Sequence, residues 1–129
     1  MLNADTYNEM NPGNGSLAYL QAANANVYGA MAAADPRAVY VMQGWLFFPD
    51  VSGDFWSTER VRAFLAGVPL GGMLILDLYS DGAPQWSRFD SYYGHNWIWN
   101  SLIVFGGRRG LYGTLESVRL CVELLESDG

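Results

Sequence analysis

The sequence predicts an α/β fold built on a parallel sheet, and three observations carry that prediction. Short apolar runs alternate with longer segments of helical spacing. The runs are apolar at successive positions, as in Val39-Tyr40-Val41-Met42 and Met73-Leu74-Ile75-Leu76, a pattern that suits a parallel sheet covered on both faces. Half of the 129 residues are hydrophobic and 16% are charged, where about 25% charged is usual. A small domain has much surface to solvate, so a chain this apolar is expected to leave faces that further structure covers. A closed (β/α)8 barrel takes about 250 residues, and this chain can supply about half of one.

The elements follow in order. Asn11-Pro12-Gly13-Asn14-Gly15-Ser16 is a dense turn signal. Ser16 is placed to cap a helix from Leu17 to about Ala34, where Leu17, Leu20, Ala23, Val27 and Met31 recur at helical spacing. Asp35-Pro36 ends it, because proline keeps the preceding residue out of helical geometry. Ala38 to Gln43 reads as a strand. After a loop with Pro49 and Gly53, Ser57 is placed to cap a helix from Thr58 to about Ala66, with Glu59 in its first turn. Gly71-Gly72 leads into a second strand at Met73. A third runs from Trp97 to Phe105 and ends at Gly106-Gly107, and a last helix runs from Leu111 to about Leu125. A short strand at Asp5-Thr6-Tyr7 is a further expectation. No internal repeat or low-complexity tract occurs.

Charge and composition exclude several classes. The net charge is −6, and all seven basic residues are arginine, with one doublet at Arg108-Arg109. Phosphate backbones are bound by clustered positive charge, so no nucleic-acid partner is expected. The uncharged run Ser91 to Gly107 has 17 residues and carries His95, Asn96 and Asn100. A spanning helix needs about 20 mostly apolar residues, so no membrane span is expected, and the first sixteen residues read as no targeting signal. The single Cys121 cannot form an internal disulfide and reads as core. With one histidine and no glycine-rich loop of phosphate-binding spacing, no metal and no cofactor are expected.

Parallel barrels carry their functional groups at the C-terminal ends of strands. Three places qualify here: Asn8-Glu9 before the first turn, Gln43-Gly44-Trp45 after the strand from Ala38, and Asp77, with Asp81 just beyond, after Leu74-Ile75-Leu76. Asp77 stands out, because a carboxylate between Leu76 and Leu78 loses solvation unless it is paired. That reading expects it to point inward and bond pocket groups. His95 reads as a structural histidine. The many aromatic residues suit both a sugar site and a core.

Ordered blocks of sequence add a resemblance. Asn3-Ala4-Asp5-Thr6-Tyr7-Asn8-Glu9-Met10-Asn11-Pro12 is followed by Gln43-Gly44-Trp45-Leu46-Phe47 and by Leu76-Asp77-Leu78-Tyr79 with Pro84 and Trp86. Then come Tyr93-Gly94, Ile98-Trp99, Phe105-Gly106-Gly107 and Gly110-Leu111-Tyr112-Gly113. In this order and spacing, over about residues 3–116, the chain resembles the α-N-acetylglucosaminidases of glycoside hydrolase family 89; residues 117–129 carry no match to those motifs. It departs from the family pattern at Asn100, at Ile103-Val104 and at Arg108.

The resemblance implies that residues 1–129 are a fragment of a (β/α)8 catalytic domain that removes terminal α-linked N-acetylglucosamine from heparan sulfate-type glycans, in a lysosomal or secretory setting. It implies Glu9 as the acid/base carboxyl, Asn8 and Trp45 as sugar contacts, and a nucleophilic carboxylate outside this chain. Asp77 joins the substrate-binding set. The rest of the barrel is then needed, and the chain alone is expected to be inactive. A second reading, a catalytically dead remnant that binds a sugar or a partner protein, fits the same residues.

Overall fold

In a computed structural model, the structure describes residues 1–102 and, beyond them, 114–116, 119 and 123. The expected Gly106-Gly107 strand end, the Arg108-Arg109 doublet, Cys121 and most of the expected last helix lie outside the described residues.

The elements are β1 (Leu2–Asn3), α1 (Leu17–Ala34), β2 (Tyr40–Gln43), α2 (Pro49–Ser52), α3 (Thr58–Leu65), β3 (Met73–Asp77) and β4 (Asn96–Trp99). Tight single turns stand at Gly44–Phe47 and Ser91–Gly94. The four strands form one sheet in the order β1-β2-β3-β4, and every pair is parallel.

Local chemistry explains most boundaries. At Asp35, whose backbone is extended as the following proline requires, the N–H still reaches back to the Met31 carbonyl at 2.9 Å and α1 stops. Ser57 caps α3 as expected, its Oγ accepting the Arg60 N–H at 3.4 Å. Ser16 holds the cap position of α1 without a side-chain cap bond; its own N–H donates to Asn14 Oδ1 at 2.9 Å. Gly67 lets the end of α3 close on α1, because a Cβ there would lie 2.4 Å from the Gln21 carbonyl oxygen. Asn24 completes that contact by donating to the Phe64 carbonyl at 2.9 Å.

One expectation is corrected. The first strand is Leu2–Asn3; the N–H groups of Leu2 and of the following Ala4 donate to the Val39 and Val41 carbonyls. Residues 5–7 are not strand: Tyr7 takes a φ of 65°, which breaks extended geometry, and the Asn8 N–H turns back to the Asp5 carbonyl. Helical cover lies on one face of the described structure, as a partial barrel requires. Tyr40, Met42, Met73 and Ile75 are fully buried in one core with Leu20, Val61, Phe64 and Leu65 of α1 and α3. The opposite face carries Val41, Gln43, Leu74 and Leu76, all half-buried, and Ile98, 46% exposed. A closed barrel keeps its helices outside, so this second face is the one that a barrel turns inward.

The Gly44–Phe47 turn joins sheet to core. Leu46 and Phe47 are buried, and the Phe47 ring meets Trp56 at 5.3 Å, Phe89 at 5.6 Å and Phe64 at 6.3 Å. Burying such a side chain contributes about 1.5–3 kcal/mol. With its two neighbours driven inward, Trp45 stays half-buried at the C-terminal end of β2.

Candidate active site

All four strands run the same way, so the residues following β1, β2 and β3 gather at one end of the sheet. There the indole N–H of Trp45 donates to Glu9 Oε1 at 3.2 Å. The left-handed Tyr7 turns the chain after β1 so that Asn8 and Glu9 follow it as an exposed pair. Its hydroxyl donates to Tyr19 of α1 at 3.1 Å, and Asn11 holds the far side of the loop by donating to the Ser52 carbonyl at 3.1 Å. Two residues not singled out from the sequence as site residues support the indole. Phe48 stacks on Trp45 at 5.4 Å, and Tyr79 meets Phe48 edge-on at 5.8 Å. The dense aromatic composition was the signal for them, but it did not say which rings belong to the site.

Asp77 ends β3, and its surroundings differ from those of Glu9. It is fully buried and shares the sheet face of Met73 and Ile75, toward the helices. Its carboxylate accepts from the Tyr92 hydroxyl at 2.7 Å, the Ser80 hydroxyl at 2.9 Å and the backbone N–H groups of Gln85 at 3.2 Å and Trp86 at 3.4 Å. Burial raises the carboxyl above its ordinary value, against the lowering effect of these four donors. Burial and the nearby Asp77 charge push the Tyr92 hydroxyl upward in turn, so it stays a donor. Pairing was expected of Asp77 from its leucine neighbours; the partners are the protein's own loop.

That loop contains an unusual turn. Asp90, Ser91, Tyr92 and Tyr93 have φ of 49°, 48°, 56° and 55°, followed by Gly94 at 88°. Each non-glycine residue in this region costs about 1–2 kcal/mol, so the turn needs support from its surroundings. Tyr92 supplies it, fully buried with its hydroxyl on Asp77. Trp86 stacks on Trp97 at 5.4 Å, and Arg88 donates to the Phe47 and Trp56 carbonyls, tying the loop to the β2 side. Asp81 accepts the Leu102 N–H at 3.2 Å, and Ser80 Oγ accepts that of Asn100 at 3.3 Å, so both fasten the chain leaving β4. His95 is buried with Nδ1 unpartnered, and burial lowers its pKa from the ordinary 6.5 despite the neighbouring Leu65 carbonyl.

No helix among the described residues is long and apolar enough to cross a membrane.

A sequential parallel sheet, helices on one face and polar groups collected at the strand ends define a segment of a (β/α)8 barrel. The family model for the alpha-N-acetylglucosaminidase TIM-barrel domain matches residues 1–127, which takes in the ordered motifs of 3–116 and reaches beyond them. Human alpha-N-acetylglucosaminidase is 45% identical over 115 residues, 89% of this chain and 15% of that relative. The chain belongs to the alpha-N-acetylglucosaminidase TIM-barrel family, and it spans 15% of the length of its human relative.

Proposed function

We propose that this chain is the part of a retaining glycoside hydrolase that carries the acid/base carboxyl, in an enzyme that removes terminal α-linked N-acetylglucosamine. The observation that carries the reading is the bond from Trp45 Nε1 to Glu9 Oε1 at the ends of two adjacent parallel strands. An exposed carboxyl held by an indole can reach a glycosidic oxygen, and the half-buried ring offers a surface for a sugar. Glu9 protonates the leaving oxygen and later activates water. Asn8 and Trp45 contact the sugar, and Asp77 serves the same pocket from behind by fixing the β3 loop.

A retaining reaction needs a second carboxylate about 5–5.5 Å away. In this reading a strand outside the chain supplies it, as the family resemblance implies, and the remaining strands cover the open apolar face. Heparan sulfate-type glycans and a lysosomal or secretory location belong to the same proposal. It is tested in a full-length relative by Glu9→Gln at the matching position. Turnover of a sugar or alkyl aglycone is expected to fall about 10²–10⁴-fold, while the first step on a nitrophenyl glycoside, which needs little protonation, falls far less. Equal losses on both substrates would remove the acid role from Glu9. The 129-residue chain alone is expected to show no turnover, and real turnover would place the second carboxylate within it.

A further inference from the structure

We propose that Tyr92 is a positioning residue for the Glu9–Trp45 pair: held by Asp77 in its left-handed turn, it sets the backbone of Gly44 and thereby the direction in which Trp45 reaches Glu9. The inference rests on the reading of that pair as the acid/base site.

Three observations converge on it. The Tyr92 hydroxyl makes the shortest of the hydrogen bonds that the Asp77 carboxylate accepts, at 2.7 Å. The same hydroxyl lies against Gly44, where a Cβ would meet it at 3.2 Å and the Leu76 carbonyl oxygen at 3.0 Å. A Cβ at Gly44 would therefore crowd the Tyr92 hydroxyl, and the residue after it is Trp45, whose indole donates to Glu9 at 3.2 Å. A contiguous path runs from the end of β3 through Tyr92 to the end of β2 and on to the acid after β1.

The turn explains why a tyrosine in this conformation is used. Four successive non-glycine residues with positive φ bring the Tyr92 ring into the core beside Phe47 and Phe89. Tyr93, next in the same turn, sends its hydroxyl elsewhere, to the Thr58 carbonyl at 3.3 Å. Packing alone requires the Tyr92 ring; the link to Asp77 and Gly44 requires its oxygen.

The test uses the 129-residue chain with nitrogen-15-labelled tryptophan. The Trp45 indole N–H signal is assigned by its loss in Trp45→Phe. Glu9→Gln removes the charged acceptor and is expected to shift that signal. Positioning by Tyr92 predicts that this shift shrinks by half or more in a folded Tyr92→Phe background and stays full in Tyr93→Phe, a coupling that a purely structural residue does not produce. A full shift in folded Tyr92→Phe overturns the inference. Should Tyr92→Phe fail to fold, Gly44→Ala probes the same contact from the other side: a reduced shift supports the inference and an unchanged one overturns it. If Glu9→Gln moves nothing in the parent chain, the pair itself is absent and the inference falls with it. Turnover of the full-length enzyme tests the acid role separately, so the two failures are distinguishable.

Discussion

Two carboxylates stand beyond or at the C-terminal ends of β1 and β3, the parallel strands on either side of β2, and the sheet treats them in opposite ways. Glu9, after β1, is exposed and bonded by the Trp45 indole. Asp77, at the end of β3, is fully buried and accepts from two hydroxyls and two backbone N–H groups. A carboxylate whose lone pairs are occupied by the protein organises a loop; one that keeps solvent access can exchange a proton with a substrate, the role proposed for Glu9. Strand-end position, shared by both, does not separate these roles. Orientation relative to the sheet and the number of internal donors do.

The comparison breaks most readily if the two residues are interchangeable under substitution. Glu9→Gln in a full-length relative is expected to reduce turnover about 10²–10⁴-fold and to move stability by no more than about 0.5 kcal/mol, as at other exposed sites. Asp77→Ala should invert that ranking in stability. It leaves the Tyr92 hydroxyl and two backbone donors unpaired, each costing about 1–3 kcal/mol, so a loss of about 3–5 kcal/mol is expected. Chemical unfolding of both variants beside turnover decides the matter, and a stable Asp77→Ala protein would show that the β3 loop does not depend on that carboxylate.

Tyr92→Phe sharpens the same contrast at smaller scale. It keeps the buried ring and removes one hydrogen bond to a charged acceptor, for which a loss of about 1.5–3 kcal/mol is expected. Glu9→Gln and Tyr92→Phe should then differ in kind as well as size, the first acting on chemistry and the second on stability and on the geometry of Trp45. A Tyr92→Phe melt equal to that of the parent would mean that Ser80, Gln85 and Trp86 satisfy Asp77 without it.

Much of the scaffold was legible in the residues. α1, β2, α3 and β3 lie close to where helical spacing, Pro36, Ser57 and the apolar runs put them, because each signal acts within a few residues of its effect. β1 was misplaced because two residues carry no periodicity, and its position depends on pairing with Tyr40 and Val41, far along the chain. Which strand residues face the helices was illegible for a related reason: the inward face of a barrel is as apolar as the helix-facing one, so the strands read alike on both faces. Asp77 was singled out by its leucine neighbours, yet only the register, which aligns it with Trp99 on the face of Ile75, shows which way it points. The left-handed turn at residues 90–93 had no local signal, since glycine, the usual marker of positive φ, enters only at Gly94. Glu9 and Trp45 stood out as strand-end residues and took their roles from the family resemblance; the structure brings the two into hydrogen-bond contact.

The smallest expected effects lie in the pH dependence of two buried groups at the two ends of the β3–β4 connection, Asp77 and His95, which act with opposite sign. His95 has its folded pKa below 6.5, because burial disfavours the imidazolium. Below 6.5 the unfolded chain binds a proton there that the folded chain refuses, so this group removes stability as pH falls from 7 through that value. Asp77 has its folded pKa above 3.8, again because of burial. Between 3.8 and that raised value the folded chain binds the extra proton, so this group adds stability as pH falls toward 3.8 and gives it up as pH rises. His95→Gln, neutral throughout, should flatten the acid-side loss that begins near pH 6.5, and Asp77→Asn should remove the opposing gain at lower pH. Unfolding free energies of the parent and the two variants, measured by urea titration at a series of pH values from 7 to about 4, separate the two effects. Unchanged slopes in His95→Gln would mean that the imidazole keeps its ordinary proton affinity despite its burial, and the chain entering β4 would then be a more hydrated place than that burial implies.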